Sequence, residues 1–160
     1  MPQKIITIEP ELCIGCKQCV MSCSYEHYGV YSKSLARIKL VTFEEKCLTV
    51  PVTCAYCEEA LCEKVCPTGA MTYDKETNTA KVIENLCIGC KECANICPIG
   101  AIDFHPVKKV AMRCDLCGGE PKCVANCPKG ALKYEDINAS MRNKRRKRVL
   151  DQNIDRSMGV

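Results

Sequence analysis

The sequence predicts an α+β fold of short strands, short helices and β-hairpin connections, followed by a basic C-terminal tail. Three observations lead to this prediction. The 160 residues include 17 cysteines, sixteen of these fall into four blocks of four, and β-rich segments lie between the blocks. Aromatic residues make up only 5% of the chain, so an ordinary apolar core would be thin. A cysteine fraction this high indicates a metal or disulfide scaffold, and in a metal scaffold ligation supplies much of the folding free energy.

Each block carries its four cysteines at short spacings. Blocks one and three have the spacing C-x2-C-x2-C-x3-C, whereas the second gap is four residues in block two and five in block four. After the last cysteine, three blocks continue with Pro, one further residue, Gly and Ala, and block one continues with Ser24 instead. Pro ends the short helical turn, and Gly permits a tight turn into the next strand. The blocks are Cys13, Cys16, Cys19 and Cys23; Cys54, Cys57, Cys62 and Cys66; Cys87, Cys90, Cys93 and Cys97; and Cys114, Cys117, Cys123 and Cys127.

The segments around the blocks predict the remaining elements in chain order. We expect strands at residues 5–8, 36–41, 48–52, 71–73, 80–83, 107–112 and 131–134, with hairpin turns at 42–47 and 74–79. We expect short helices at 19–25, 61–65, 93–96 and 123–126, and a partly helical segment at 136–148.

The spacing C-x2-C-x2-C-x3-C-P is the signature of bacterial ferredoxins, which bind 4Fe–4S clusters. In this signature the first three thiolates bind one cluster, and the fourth, on a helix leading away, binds the other cluster of the pair. Gly15 and Gly89 lie inside the first and third blocks, where they let the backbone approach a cluster. The sixteen cysteines therefore predict four 4Fe–4S clusters, bound by two bacterial-ferredoxin-like modules in tandem.

Disulfides and zinc are the alternative interpretations. Disulfides need an oxidising compartment, yet residues 1–6 show neither an apolar export signal nor a twin Arg. No apolar run approaches the roughly 18–20 residues that span a bilayer. Zinc sites need no third cysteine two residues after a pair, and only two His are present. We therefore expect a reducing cytoplasm, no direct insertion into a membrane, and an anaerobic source.

With these blocks, residues 5–135 resemble the four-cluster iron–sulfur subunits of molybdenum and tungsten oxidoreductases, the dimethyl-sulfoxide-reductase type included. The run Cys23-Ser24-x-Glu26-His27 and the short insertion before Cys123 are more similar to a compact soluble branch. That branch comprises small subunits of tungsten aldehyde oxidoreductases, benzoyl-CoA-reductase-type enzymes and carbon monoxide dehydrogenases. In the dimethyl-sulfoxide-reductase group the same insertion is longer.

The resemblance implies a nested ligation pattern in which each cluster takes three cysteines from one block and one from another. It implies interleaved modules: an inner one at residues 48–104, an outer one at 1–47 with 105–137, and a tail at 138–160. The implied ligand sets are Cys13, Cys16, Cys19 and Cys127; Cys114, Cys117, Cys123 and Cys23; Cys54, Cys57, Cys62 and Cys97; and Cys87, Cys90, Cys93 and Cys66.

The function implied by the resemblance is that of an electron-transfer subunit, a polyferredoxin that passes single electrons to or from a separate catalytic subunit. The expected partner is a tungsten or molybdenum aldehyde oxidoreductase, or a carbon monoxide dehydrogenase or hydrogenase, with a ferredoxin or flavoprotein as a second electron partner. A role in cluster storage or maturation stays open. Catalysis by this chain itself is not expected, because all four quartets are complete and no nucleophile–base pair, phosphate loop or flavin motif is present.

The formal net charge of +4 conceals two regions of opposite character. Residues 138–160 hold seven of the 23 Lys and Arg but two of the 19 Asp and Glu, which leaves 16 basic and 17 acidic residues elsewhere. Bound clusters would make the body more acidic. The basic run at 142–148 is interpreted as a solvated tail or as a docking segment for an acidic surface. Nucleic-acid binding is not expected, because the run lacks interleaved aromatics.

Three further residues have weaker functional interpretations. Cys47 belongs to no quartet, and its alternating surroundings predict a small buried hydrophobe in a strand, with a redox thiol or another ligand as the alternative. His27 is expected either to tune the potential of a nearby cluster or to pack. His105, which precedes Pro106, is expected to be structural. Asp115 and Glu120 are interpreted as surface residues or neighbours of a cluster.

Overall fold

A computed structural model describes residues 4–57, 59–74 and 79–138. These residues fold into short helices and short antiparallel strand pairs. The strands are β1 Lys4–Ile8, β2 Lys39–Phe43, β3 Leu48–Val52, β4 Met71–Asp74, β5 Thr79–Val82, β6 Asp103–Phe104, β7 Ala111–Met112 and β8 Leu132–Asp136. The α-helices are α1 Gln18–Tyr28, α2 Leu61–Lys64, α3 Glu92–Asn95 and α4 Lys122–Ala125. The basic run at 142–148 and nearly all of the predicted tail lie outside the described residues.

Strand pairing joins the two ends of the described chain. β1 runs antiparallel to β8, with Ile6 opposite Tyr134, and the Thr7 hydroxyl donates a 2.7 Å hydrogen bond to Glu135. The other pairs are the local hairpins β2–β3, β4–β5 and β6–β7. Block one follows β1 and block four precedes β8, so the pairing of these two strands brings the two blocks together.

Helix α1 positions the first block and is the longest helix in the described residues. It begins after Lys17, whose backbone is left-handed, and ends at Gly29, whose N–H donates to the Tyr25 carbonyl in a left-handed C-cap. One face of the helix buries Cys19 and Cys23. Helices α2, α3 and α4 are single turns because a Cys-Pro pair follows each of them within three residues.

The apolar core is built largely around cysteines. Five of the thirteen buried residues in the larger core cluster are cysteines, and a smaller cluster packs further cysteines around Met71 and Ile102. Burial of apolar carbon is correspondingly small, so ligation by the thiols would supply much of the folding free energy.

The strand predicted at 107–112 is wrong over most of its length. Only Ala111–Met112 pairs, with Asp103–Phe104, and the residues between them turn. His105 causes this turn, because its ring Nδ1 accepts hydrogen bonds from the N–H groups of Val107 and Lys108. These contacts agree with the structural role predicted for His105.

The strand predicted at 36–41 begins three residues late, at Lys39. The N–H of Arg37 donates to the Cys23 sulfur at 3.3 Å, so this backbone is not available to a strand partner.

Cys47 was predicted to be buried in a strand, but it is exposed and its backbone is left-handed. Its N–H donates to the Glu44 carbonyl, which closes the turn of the β2–β3 hairpin. The predicted module boundary between residues 47 and 48 lies in this turn.

Within the part of the chain that the structure describes, every helix is too short or too polar to cross a bilayer.

Candidate iron–sulfur cluster sites

The first cysteine group joins the two ends of the described chain. One pocket is lined by Cys13, Cys16, Cys19 and Cys127, together with apolar side chains such as Leu40. Burial, with the charges of neighbouring thiolates that include Cys127, raises the pKa of Cys19 to about 11. A fourth thiol from block four thus faces the three thiols of block one.

The second group joins blocks two and three in the same way. Another pocket is lined by Cys66, Cys87, Cys90 and Cys93. The N–H of Ala111 donates to the Cys87 sulfur at 3.4 Å. Burial, with the charges of Cys87 and Cys90, raises the pKa of Cys93 to about 11.

The third group is the most deeply buried. Burial raises the pKa of Cys123, and the thiolates of Cys114, Cys23 and Cys117 act on it in the same direction. The backbone is left-handed at Cys117 and Gly118, which folds this loop around the group. Cys23, from block one, again supplies the thiol from a distant block.

The fourth group is assembled from blocks two and three. Burial raises the pKa of Cys62, as do the charges of Cys54 and Cys97, while Arg113 opposes the shift. The N–H of Ala101 donates to the Cys97 sulfur at 3.4 Å. Cys57, the remaining member predicted for this group, is exposed.

A charged network borders the third group. His27 Nε2 lies 3.0 Å from Asp115 Oδ1, and Arg37 Nη1 donates to Asp115 Oδ2 at 2.6 Å. His27 Nδ1 lies 2.7 Å from the Cys23 carbonyl oxygen. Burial opposes a charged imidazole, but hydrogen bonds with Asp115 and Cys23 raise the pKa of His27 to about 10. Burial also opposes ionisation of Asp115, yet His27 and Arg37 lower the pKa of that carboxyl well below its usual range.

These contacts make Asp115 a neighbour of the cysteine group, one of the two roles predicted for it. His27, Asp115 and Cys117 come close enough to hold a metal ion, but Cys117 already belongs to the third group. Arg37 and Arg113 both contact cysteine sulfurs, and neither was predicted from the sequence. The signal available for Arg113 was its position directly before block four.

The donor chemistry of the four groups fits 4Fe–4S clusters, which cysteine thiolates hold in sets of four. The buried Nη1 atom of Arg113, which has no hydrogen-bond partner among the described residues, fits an anionic group at this position. When bound, such clusters supply one-electron transfer.

Comparison with known protein families gives matches along the chain. Residues 5–31 match a 4Fe-4S binding domain, 53–108 the LdpA Fe-S cluster-binding domain and 86–131 a 4Fe-4S dicluster domain. A putative electron transport protein, YsaA of Escherichia coli K12, is 32% identical over 123 residues, which are 71% of this chain and 76% of that protein. The chain belongs to the 4Fe–4S ferredoxin-type, polyferredoxin-like family. The prediction of an iron–sulfur protein of the ferredoxin type is therefore confirmed.

Two other relatives are named as parts of larger enzymes. The polyferredoxin-like subunit of an aliphatic sulfonate oxidoreductase from Pyrococcus furiosus is 39% identical over 115 residues, 71% of this chain and 65% of that protein. Hydrogenase-4 component A of Escherichia coli K12 is 38% identical over 99 residues, 62% of this chain and 46% of that protein. The chain thus spans about half to two thirds of the length of these two relatives.

A solved structure aligns more weakly with this polyferredoxin-like chain. The chain aligns with the BamBC active site complex of benzoyl coenzyme A reductase at 22% identity and a TM-score of 0.48, over 98% of this chain and 92% of that one. A likeness of this strength supports no argument about function.

Proposed function

We propose that this chain relays single electrons through four 4Fe–4S clusters between a separate catalytic oxidoreductase subunit and a second redox protein. The observation that carries the proposal is the gathering of thiols from distant blocks, best seen where Cys127 joins Cys13, Cys16 and Cys19 around one pocket. A freely diffusing carrier would need only one cluster, whereas closely spaced clusters in a small body suit a relay.

The arrangement of the other groups supports the nested ligand sets. Cys66 lines a pocket with three thiols of block three, and Cys23 acts on the buried Cys123 of block four. We therefore interpret the chain as two interleaved ferredoxin modules, in which blocks one and four form the outer module and blocks two and three the inner one.

In three of the four groups, backbone N–H groups would help to hold the cluster. Backbone N–H groups of Arg37, Ala101 and Ala111 donate to cysteine sulfurs, which stabilises the charged thiolates and helps to set potentials. Other ligand positions reach the surface: Cys16, Cys57 and Cys90 are exposed. A redox partner would approach the clusters at these exposed positions.

We further propose that the catalytic partner is a tungsten or molybdenum aldehyde oxidoreductase, with a carbon monoxide dehydrogenase or hydrogenase as the alternative. Support comes from the resemblance of the blocks to the compact branch and from relatives named as subunits of a sulfonate oxidoreductase, a hydrogenase and an arsenate respiratory reductase. In this proposal the substrate chemistry takes place on the partner, and this chain carries the electrons.

Anaerobic purification followed by iron and sulfide analysis tests the proposal. The full chain should hold about sixteen iron and sixteen sulfide, with a broad visible absorption that bleaches on reduction. Cys47→Ser is the matched control and should retain all of the iron, because Cys47 is exposed and belongs to no group. About eight iron after full reconstitution, or stoichiometric zinc, would contradict the proposal.

A further inference from the structure

Arg113 is a buried cation where block four meets block two. Only 2% of its surface is exposed, and its Nε donates to the Cys54 sulfur at 3.4 Å. The guanidinium lies 5.8 Å from the ring centroid of Tyr56 and 5.7 Å from that of Tyr73, within the range of cation–π attraction. Two aromatic rings and a cysteine sulfur thus surround the charge.

The charge of Arg113 lacks a carboxylate counter-ion in the described parts of the chain. Arg stays protonated even when buried, and a buried charge is costly unless it is paired. The anionic groups that act on Arg113 are the thiolates of Cys54 and Cys62. The guanidinium therefore depends for its charge balance on the cysteine group beside it.

Arg37 provides the contrast within the same chain. Its guanidinium forms an ion pair with the Asp115 carboxylate, and its side chain is 19% exposed. Arg37 contacts the Cys23 sulfur through its backbone N–H, and not through its guanidinium. Its positive charge is thus neutralised locally, whereas that of Arg113 is not.

We propose that Arg113 is the counter-ion of the cluster held by Cys54, Cys57, Cys62 and Cys97, and that its charge raises the reduction potential of that cluster. The inference rests on the proposed function, because it requires a cluster at this group. Reduction adds one negative charge, and a fixed cation in a poorly solvated site stabilises the reduced state more than the oxidised one. Net charge and hydrogen bonds to sulfur are among the factors that set cluster potentials.

The position of Arg113 also determines where in the relay an electron would be held. Arg113 directly precedes Cys114, a member of the outer module, while its side chain contacts Cys54 of the inner one. An electron arriving from the redox partner would be held where the two modules meet. Arg113 takes up no proton in this step, because its guanidinium is already protonated.

The test compares Arg113→Gln and Arg113→Lys in the full, cluster-loaded chain by redox titration followed by electron paramagnetic resonance. The signal of this cluster is the one that Cys57→Ser removes. Arg113→Gln should lower the equilibrium constant for its reduction at least tenfold, which is about 59 mV for a one-electron couple. Arg113→Lys should restore most of that shift, and the control Arg37→Gln should leave this cluster unchanged.

The outcomes separate the inference from the proposed function. An unshifted potential in Arg113→Gln at full iron content overturns the inference alone, as does an equal shift in Arg113→Lys. If Arg113→Gln fails to bind its clusters, wild-type protein with ¹⁵N in its arginine guanidinium groups is measured instead. Hyperfine coupling between ¹⁵N and this cluster, retained in Arg37→Lys, supports the inference. Absence of that coupling overturns it. A wild-type chain whose iron content does not depend on Cys57 would refute the cluster itself.

Discussion

The Tyr56 hydroxyl donates a 2.6 Å hydrogen bond to the backbone carbonyl of Cys114, joining block two to the first residue of block four. Tyr56 is only 1% exposed, and its backbone has a φ of 50°, a left-handed conformation that is unfavourable for an aromatic residue. This strain persists because the buried ring and its hydrogen bond hold the residue in place. The contact ties the inner cysteine groups to the outer ones.

Removal of this hydroxyl should weaken the whole body. Tyr56→Phe leaves the buried Cys114 carbonyl without its donor, which costs about 1–3 kcal/mol. We expect cluster absorbance to be lost at a lower midpoint concentration of guanidinium chloride in an unfolding titration under argon. The exposed Tyr25 offers the matched control, and Tyr25→Phe should leave the midpoint unchanged. Equal midpoints for the two variants would show that the contact is not stabilising.

The local elements were predictable because neighbouring residues determine them. A Cys-Pro pair stops each short helix, so the helix predicted at 61–65 is found at Leu61–Lys64. The hairpin predicted around 74–79 is found as Met71–Asp74 paired with Thr79–Val82. Only the ends of these elements differ from the prediction.

Features that depend on distant contacts were not predictable from local pattern. Alternation predicted a buried Cys47, but a turn closed by Glu44 exposes it. The position of Arg113 before block four did not predict its burial, because its contacts with Cys54 and Tyr73 come from distant parts of the chain. The nested grouping of the cysteines came from the family resemblance, since the spacing within a block does not say which distant thiol completes it.

Gly89 should be intolerant of any side chain. A Cβ at this position would lie 2.7 Å from the Lys109 carbonyl oxygen, and the φ of +68° disfavours side chains by itself. Gly89→Ala should therefore displace the loop between Cys87 and Cys90 and reduce iron from about sixteen to about twelve per chain, the content of three clusters.

A substitution at Gly100 is the control that distinguishes a steric clash from backbone strain. Gly100 also has a positive φ, of +61°, but a Cβ there would have nothing within 4 Å. Gly100→Ala should keep all of its iron, with a stability loss of roughly 1–2 kcal/mol from backbone strain. Equal iron loss in both variants would show that strain, and not contact with Lys109, governs the loop.

Removal of iron should unfold the protein. Five cysteines belong to the larger buried cluster, so free thiols would leave little apolar surface to stabilise the fold. Anaerobic chelation should abolish the near-ultraviolet circular dichroism, and reconstitution with iron and sulfide should restore it. A stripped chain that keeps its near-ultraviolet signal would place the folding free energy in the polypeptide instead.

The basic segment predicted to dock on a partner can be removed without touching any proposed ligand. Truncation after Asn138 should preserve about sixteen iron, while co-purification with the catalytic subunit should fall. Exposed charges are screened over about 8–10 Å at ordinary ionic strength, so salt should weaken the full-length complex more than the truncated one.

A full-length variant with the Lys and Arg of 142–148 replaced by Gln is the matched control for this truncation. It should bind its partner as weakly as the truncated chain, because charge and not length is proposed to anchor the subunit. Binding of the truncated chain that equals the wild type at low and high salt would make the tail a bystander.

The nested ligand sets predict which variants share a spectroscopic defect. Cys127 lines one pocket with Cys16, so Cys127→Ser should lose the same paramagnetic signal as Cys16→Ser. Cys23 acts on the thiols of block four, so Cys23→Ser should lose the same signal as Cys117→Ser. The two lost signals should differ, because they belong to different clusters.

This comparison needs no independent assignment of the spectrum, since each distant ligand is matched with a ligand whose block is certain. The wild-type signals should persist in Cys47→Ser, which controls for the general effect of losing a thiol. If each cluster took all four ligands from its own block, Cys127→Ser would instead match Cys117→Ser, and Cys23→Ser would match Cys16→Ser. That exchange of partners would replace the interleaved modules by four independent ones.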